Sequence, residues 1–159
     1  MKKLAVLLVA ILALGFNSFS QQVDIPISEL PVEVKQVLDR YVEILTTSKT
    51  LDICAEKFVL IAGGGLVNPA GTALRSSVKP YSLRKDYENI KFYKVPVEIK
   101  RVAKTRTGQA GFGESAIAGD WYKIYIAKQD GSQPAPIHIV VPENHPTIKT
   151  PKVTGIGSL

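Results

Sequence analysis

Proton transfer, nucleophilic attack and metal binding rest mostly on histidine, cysteine and carboxylate side chains. This 159-residue chain holds two histidines and one cysteine. For acid–base work the candidates are Asp120, Tyr122 and His138. Asp120 and Tyr122 stand two apart, so a strand running through both puts them on one face. His138 lies mid-strand between Pro136 and Val140, where a satisfied strand histidine is the plain reading. A zinc site needs three or four ligands at workable spacing. His138, Glu143 and His145 are three possible ligands, but their spacing matches no metal motif, and no metal is expected. Ser115 sits in Gly113-Glu114-Ser115-Ala116-Ile117, with Ile117 where a nucleophile elbow requires glycine. The members of a Ser-His-Asp triad meet only in space, so the sequence neither builds nor dismisses one. Cys54, in Leu51-x-x-Cys54-Ala55-x-x-Phe58, falls on the apolar stripe of a helix and reads as a buried small hydrophobe. The glycine clusters carry no cofactor motif. Gly63-Gly64-Gly65 lacks the Gly-Lys-Ser/Thr of a phosphate loop and reads as a helix stop, and Gly111-Phe112-Gly113 follows no βα unit.

Binding chemistry is better represented. The aromatic cluster Trp121, Tyr122 and Tyr125 has core packing as its plain reading, but Trp121 and Tyr125 share a face with Lys123, a mixture foreign to a pure core face and suited to a ligand surface. Residues 75–106 carry ten basic and three acidic side chains, among them Lys94, Lys100 and Arg101. Such a stretch would attract an anionic partner; its plain alternative is a solvated strand face.

These groups need elements to position them. A helix is expected from Pro31, a favourable first-turn residue, with Val34, Val37, Leu38, Tyr41, Ile44 and Leu45 at helical spacing and a weak end at Thr46-Thr47-Ser48. A second is expected over 50–61, ended by the glycines. Asn68-Pro69-Ala70-Gly71 signals a turn, with room for a small hairpin around it. Residues 81–90 read as a short charged helix or turn, and 21–29 as a lead-in. From residue 93 the period becomes two: Tyr93, Val95, Val97 and Ile99 alternate with polar neighbours, predicting a strand over 93–104. Pro96 makes it an edge or bulged strand, and Val102, out of phase, places the bulge near Lys100 and Arg101. Further strands are expected over 115–128, 136–142 and 153–156, with a hairpin turn at Gln129-Asp130-Gly131-Ser132. Helices followed by an antiparallel meander predict an α+β fold, with N-terminal helices packed on a curled antiparallel sheet.

The first twenty residues predict export. Lys2 and Lys3 precede an uncharged apolar run over 4–16, and Ser18 and Ser20 supply small residues before a cleavage point between Ser20 and Gln21. The run is thirteen residues, against about 20 for a membrane-spanning helix. No stable span is expected after cleavage. The only cysteine is Cys54, so no lipid anchor is expected either. The mature domain, 21–159, is then periplasmic or extracellular, and nucleic acid and cytosolic cofactors leave the partner list. Its charge falls from +6 to +4 on loss of the two leader lysines.

The order of elements over residues 31–157 resembles the nuclear-transport-factor-2-like superfamily, a cone-shaped α+β fold that includes ketosteroid isomerase; a cystatin-like fold would give a similar pattern. The resemblance rests on layout and implies a pocket between sheet and helices, but no particular reaction. Three functions are expected in order. The first is a non-catalytic binding domain for a small molecule or an anionic envelope component, using Trp121, Tyr125, Lys94, Lys100 and Arg101. The second is a cavity enzyme of isomerase or dehydratase type, using Asp120, Tyr122 or His138. The third is an interaction module, or homodimer, pairing through the sheet face. No cofactor is implied.

Overall fold

Pro31 opens the first helix, α1 (Val32–Thr47), in a computed structural model that describes residues 21–159, apart from the side chains at 107 and 108. The leader and the Ser20 side of its cleavage point lie outside the described residues. Val34, Leu38, Tyr41, Val42, Ile44 and Leu45 form the buried stripe of α1. The hydroxyls of Thr46, Thr47 and Ser48 donate back to the carbonyls of Val42, Glu43 and Ile44, the local competition that closes the helix. Helix α2 (Leu51–Phe58) is capped by Thr50, whose hydroxyl oxygen accepts from Ile53 N–H.

Helix α2 ends at Phe58 rather than at 61. The backbone beyond it has another partner: Val153 N–H donates to Ile61 O and Gly63 N–H to Val153 O, which sets Ala62 beside the last strand. Gly63 therefore serves close approach rather than termination. A β-carbon at Gly63 would lie 2.8 Å from both Ile117 and Lys152. The small hairpin forms, with Val67 paired to Leu74 around the Asn68–Gly71 turn. The segment read as 81–90 holds helix α3 (Arg84–Asn89).

Five strands form one antiparallel sheet in sequence order: β1 (Val23–Ile25), β2 (Ile99–Ala110), β3 (Ile117–Ile126), β4 (Ala135–Pro142) and β5 (Lys152–Gly155). The helices pack on one side of this open, curled sheet, an α+β arrangement. Two expectations need correction. The strand predicted over 93–104 begins only at Ile99 and runs on to Ala110, because Pro96 has no N–H for a ladder. Residues 23–25, read as lead-in, are an edge strand on β2, too short to show a period. The bulge falls where Val102 placed it, between Ile99 and Arg101.

The helix side of the sheet is filled. Leu38, Tyr41, Ile44, Cys54 and Phe58 meet Val102, Tyr122, Ile124, Ile126, Ile137, Ile139 and Val153 in one cluster. Each large apolar side chain buried there contributes about 1.5–3 kcal/mol. One charged group is wholly buried within the helical layer. Asp86 of α3 accepts hydrogen bonds from the Tyr41 hydroxyl at 2.8 Å and from the N–H groups of Gly157 (2.8 Å) and Leu159 (3.0 Å). Lys85 and Asn89 donate to the carbonyls of Gly157 and Leu159, so α3 clamps the segment after β5.

Candidate functional site

Alternation decides what faces outward on the other side of the sheet. In β3 the even residues Tyr122, Ile124 and Ile126 enter the core, so Trp121, Lys123 and Tyr125 point away from the helices. Register brings neighbours to them. Trp121 lies between Thr105 and Val140, Lys123 between Ala103 and His138, and Tyr125 between Arg101 and Pro136. Lys152 extends the first row through its pairing with Val140, and Asp24 extends the second through Ala103. The result is a face of two aromatic rings, three cations, a histidine and one carboxylate. Small Ala103 and Val140 are buried beneath these larger side chains, although both lie outside the helix-side core.

The cations on this face are positioned rather than merely exposed. The Tyr125 ring carries the Arg101 guanidinium at 5.0 Å from its centroid and the Lys123 ammonium at 5.5 Å, both within cation–π range. Arg101 also donates from Nε to both carboxylate oxygens of Asp24, at 3.0 and 2.9 Å. Among the described residues Lys123 has no carboxylate partner. His138 is pushed below the ordinary imidazole value, first by burial and then by Lys123 across the strand pair. The Trp121 indole N–H is buried with no acceptor, and such a donor costs about 1–3 kcal/mol until it is satisfied.

No known protein family, curated protein or solved structure matches the chain. The reading of the site therefore rests on its geometry.

The acid–base candidates do not converge. Asp120 and Tyr122 share the helix-side face as alternation predicts, but Asp120 is bound to Lys104 at 2.7 Å and Tyr122 is 4% exposed, with the Lys104 ammonium over its ring. His138 is on the opposite face of the sheet. His145 is a loop brace, its Nδ1 accepting from the N–H groups of Thr147 and Ile148. Ser115 is buried, and its hydroxyl donates to Phe112 O. Burial pushes the Cys54 thiol up to about 11, which leaves it protonated. Among the described residues no group of three or more His, Cys, Asp or Glu side chains could hold a metal ion, and no helix is long and apolar enough to cross a membrane.

The basic stretch loses its asymmetry in space. Lys79 pairs with Asp52, Arg84 with Glu88, Arg101 with Asp24, Lys104 with Asp120 and Arg106 with Glu143. Lys94 and Lys100 share Glu98, and their hydrogen bonds, Lys100 first, hold its carboxyl down at about 2. Lys94 lies before β2, and neither Lys94 nor Lys100 joins the outward rows around Trp121. Of the three sequence candidates in this stretch, only Arg101 belongs to the face. Sequence reasoning missed Asp24 and Lys152; both come from short strands, and the partner of Asp24, Ala103, lies far along the chain.

A separate recess of about 510 Å³ is lined by Lys85, Asn89, Phe92, Tyr93, Lys128 and Leu159. Tyr93 is buried there, and its hydroxyl has no partner.

Proposed function

We propose that this chain is an exported, non-catalytic binding domain that holds an anionic partner on the outer face of its sheet. The observation that carries this is the unpaired Lys123 ammonium, set between Tyr125, His138 and Trp121 on the side of the sheet away from the helices. Around it Arg101 is paired with Asp24 and the Lys152 ammonium donates to Leu60 O at 2.7 Å, so Lys123 is the cation of this face left without a polar partner among the described residues. A half-exposed cation beside aromatic rings is ready for an anion, because ordering costs little when the lysine already rests on a ring. The export signal supports an envelope partner over a cytosolic one. The filled helix side favours a surface over an internal cavity. The superfamily we favour is the nuclear-transport-factor-2-like one, supported by helices that precede a long-stranded meander curled beneath them.

Trp121 is the only tryptophan in the chain, so its fluorescence reports on this face alone. Titration with a polyanion such as dextran sulfate at low ionic strength is expected to shift Trp121 emission, and Lys123→Glu to weaken binding about tenfold or more. An unchanged affinity in Lys123→Glu, or no response from Trp121, overturns the proposal. Dimerisation that the same substitution abolishes would make the partner a second copy of the chain and also count against an anionic ligand.

A further inference from the structure

We propose that the anionic partner is a uronate-bearing glycan chain lying along β3, a proposal that rests on the face reading above and names its ligand class. Trp121, Lys123 and Tyr125 succeed one another on the outward side of a single strand, ring, cation, ring. Their spacing follows from strand geometry: outward neighbours are about 7 Å apart, and the two aromatic residues about 13 Å. A chain of uronic acids has a matching composition. Each pyranose offers an apolar C–H face for an aromatic ring, and each carries a carboxylate for a cation.

The remaining groups on the face fit the same ligand. Thr105 lies beside Trp121 in the register, a hydroxyl suited to sugar hydroxyls. His138, held toward its neutral form, can both donate and accept. A lipid surface is a poorer match, because the aliphatic side chains of this face, Ala103 and Val140, are buried beneath their neighbours and do not project into a bilayer. An acidic peptide is poorer too. Its carboxylates stand on flexible stems and bring no apolar ring faces to Trp121 and Tyr125.

The test compares three probes with the mature protein: oligogalacturonate, its methyl ester and poly-L-glutamate of similar length. The readouts are calorimetric affinity and the nuclear magnetic resonance position of the Trp121 indole N–H. Oligogalacturonate is expected to move the indole resonance and to bind about tenfold tighter than either other probe, with Trp121→Ala removing most of that advantage. Poly-L-glutamate binding as tightly as oligogalacturonate, or a methyl ester binding equally well, overturns the glycan class. In the first case the anionic face survives. If neither polyanion moves the indole resonance, the face reading falls as well. Tyr125→Leu is a second variant, in case Trp121→Ala unfolds the domain, and it too is expected to lower the oligogalacturonate affinity selectively.

Discussion

Replacing Asp86 with alanine tests the most concentrated polar interaction in the fold. The carboxylate is wholly buried and takes three donors, from Tyr41, Gly157 and Leu159. Removing it strands the Tyr41 hydroxyl in the core at a cost of about 1–3 kcal/mol. The two backbone donors can reach water once the clamped segment loosens, so they add less. Against this stands a gain, because a buried charge is no longer desolvated. The partners left behind are neutral donors, so a loss of about 2–3 kcal/mol is expected for Asp86→Ala. Tyr41→Phe removes one donor and leaves the other two in place, so about 1–2 kcal/mol is expected. Urea unfolding at neutral pH, with the slope checked for constancy, measures both. The pH dependence supplies an independent sign. Burial raises the Asp86 pKa above the ordinary carboxyl value despite the three hydrogen bonds. The folded state therefore holds this proton more tightly than the unfolded chain. The stabilising contribution is complete below the ordinary carboxyl pKa and is lost as pH rises through the raised one. Asp86→Asn should flatten that acid-range slope. A loss below about 1 kcal/mol in Asp86→Ala, with an unchanged pH slope in Asp86→Asn, would refute the argument.

Other expectations follow from single positions. His138 is held below its ordinary pKa, so stability should fall as pH drops from the ordinary imidazole value through the lowered one; His138→Gln should remove that part of the slope, read from urea midpoints at neutral and mildly acidic pH. Gly119 has φ +153 and a β-carbon there would lie 1.9 Å from Val141 O; Gly119→Ala should cost about 3 kcal/mol or more in the same assay. Cys54 should be inert to a thiol reagent in the folded protein and react once urea unfolds it, since burial keeps both access and thiolate low; rapid labelling of the native state would contradict its placement.

Period and turn chemistry made much of this fold legible. Pro31, the stripe from Val34 to Leu45 and the Thr46-Thr47-Ser48 end predict α1 within a residue. The phase break at Val102 locates a bulge. The outward trio of Trp121, Lys123 and Tyr125 is read correctly from alternation alone. What escaped is non-local. The true start of β2 depends on which N–H groups find partners, and Tyr93 and Val97 keep an apolar alternation while lying outside the strand. Asp24 joins the face only because three residues pair with a strand some eighty positions away. The charge run over 75–106 is misleading for the same reason. Four of the acids that pair with it, Asp24, Asp52, Asp120 and Glu143, come from outside the run, and a one-dimensional count cannot see them.

The placement of α1 also bears on how the chain folds. Its main contacts with the sheet are with β4 and β5, and Ala62 leans on Val153 in the same region. The first helix meets α2 locally, with the Tyr41 and Phe58 rings 5.1 Å apart, but its sheet contacts wait for the last strands, across a loop of about a hundred residues whose closure entropy must be met before those contacts return it. Helices and hairpins can form early, but α1 covers its stripe fully only once β4 and β5 are in place. Folding should then be slow and all-or-none, and a chain lacking residues 152–159 should stay open, with the α1 stripe exposed to whatever holds unfolded polypeptides in its compartment.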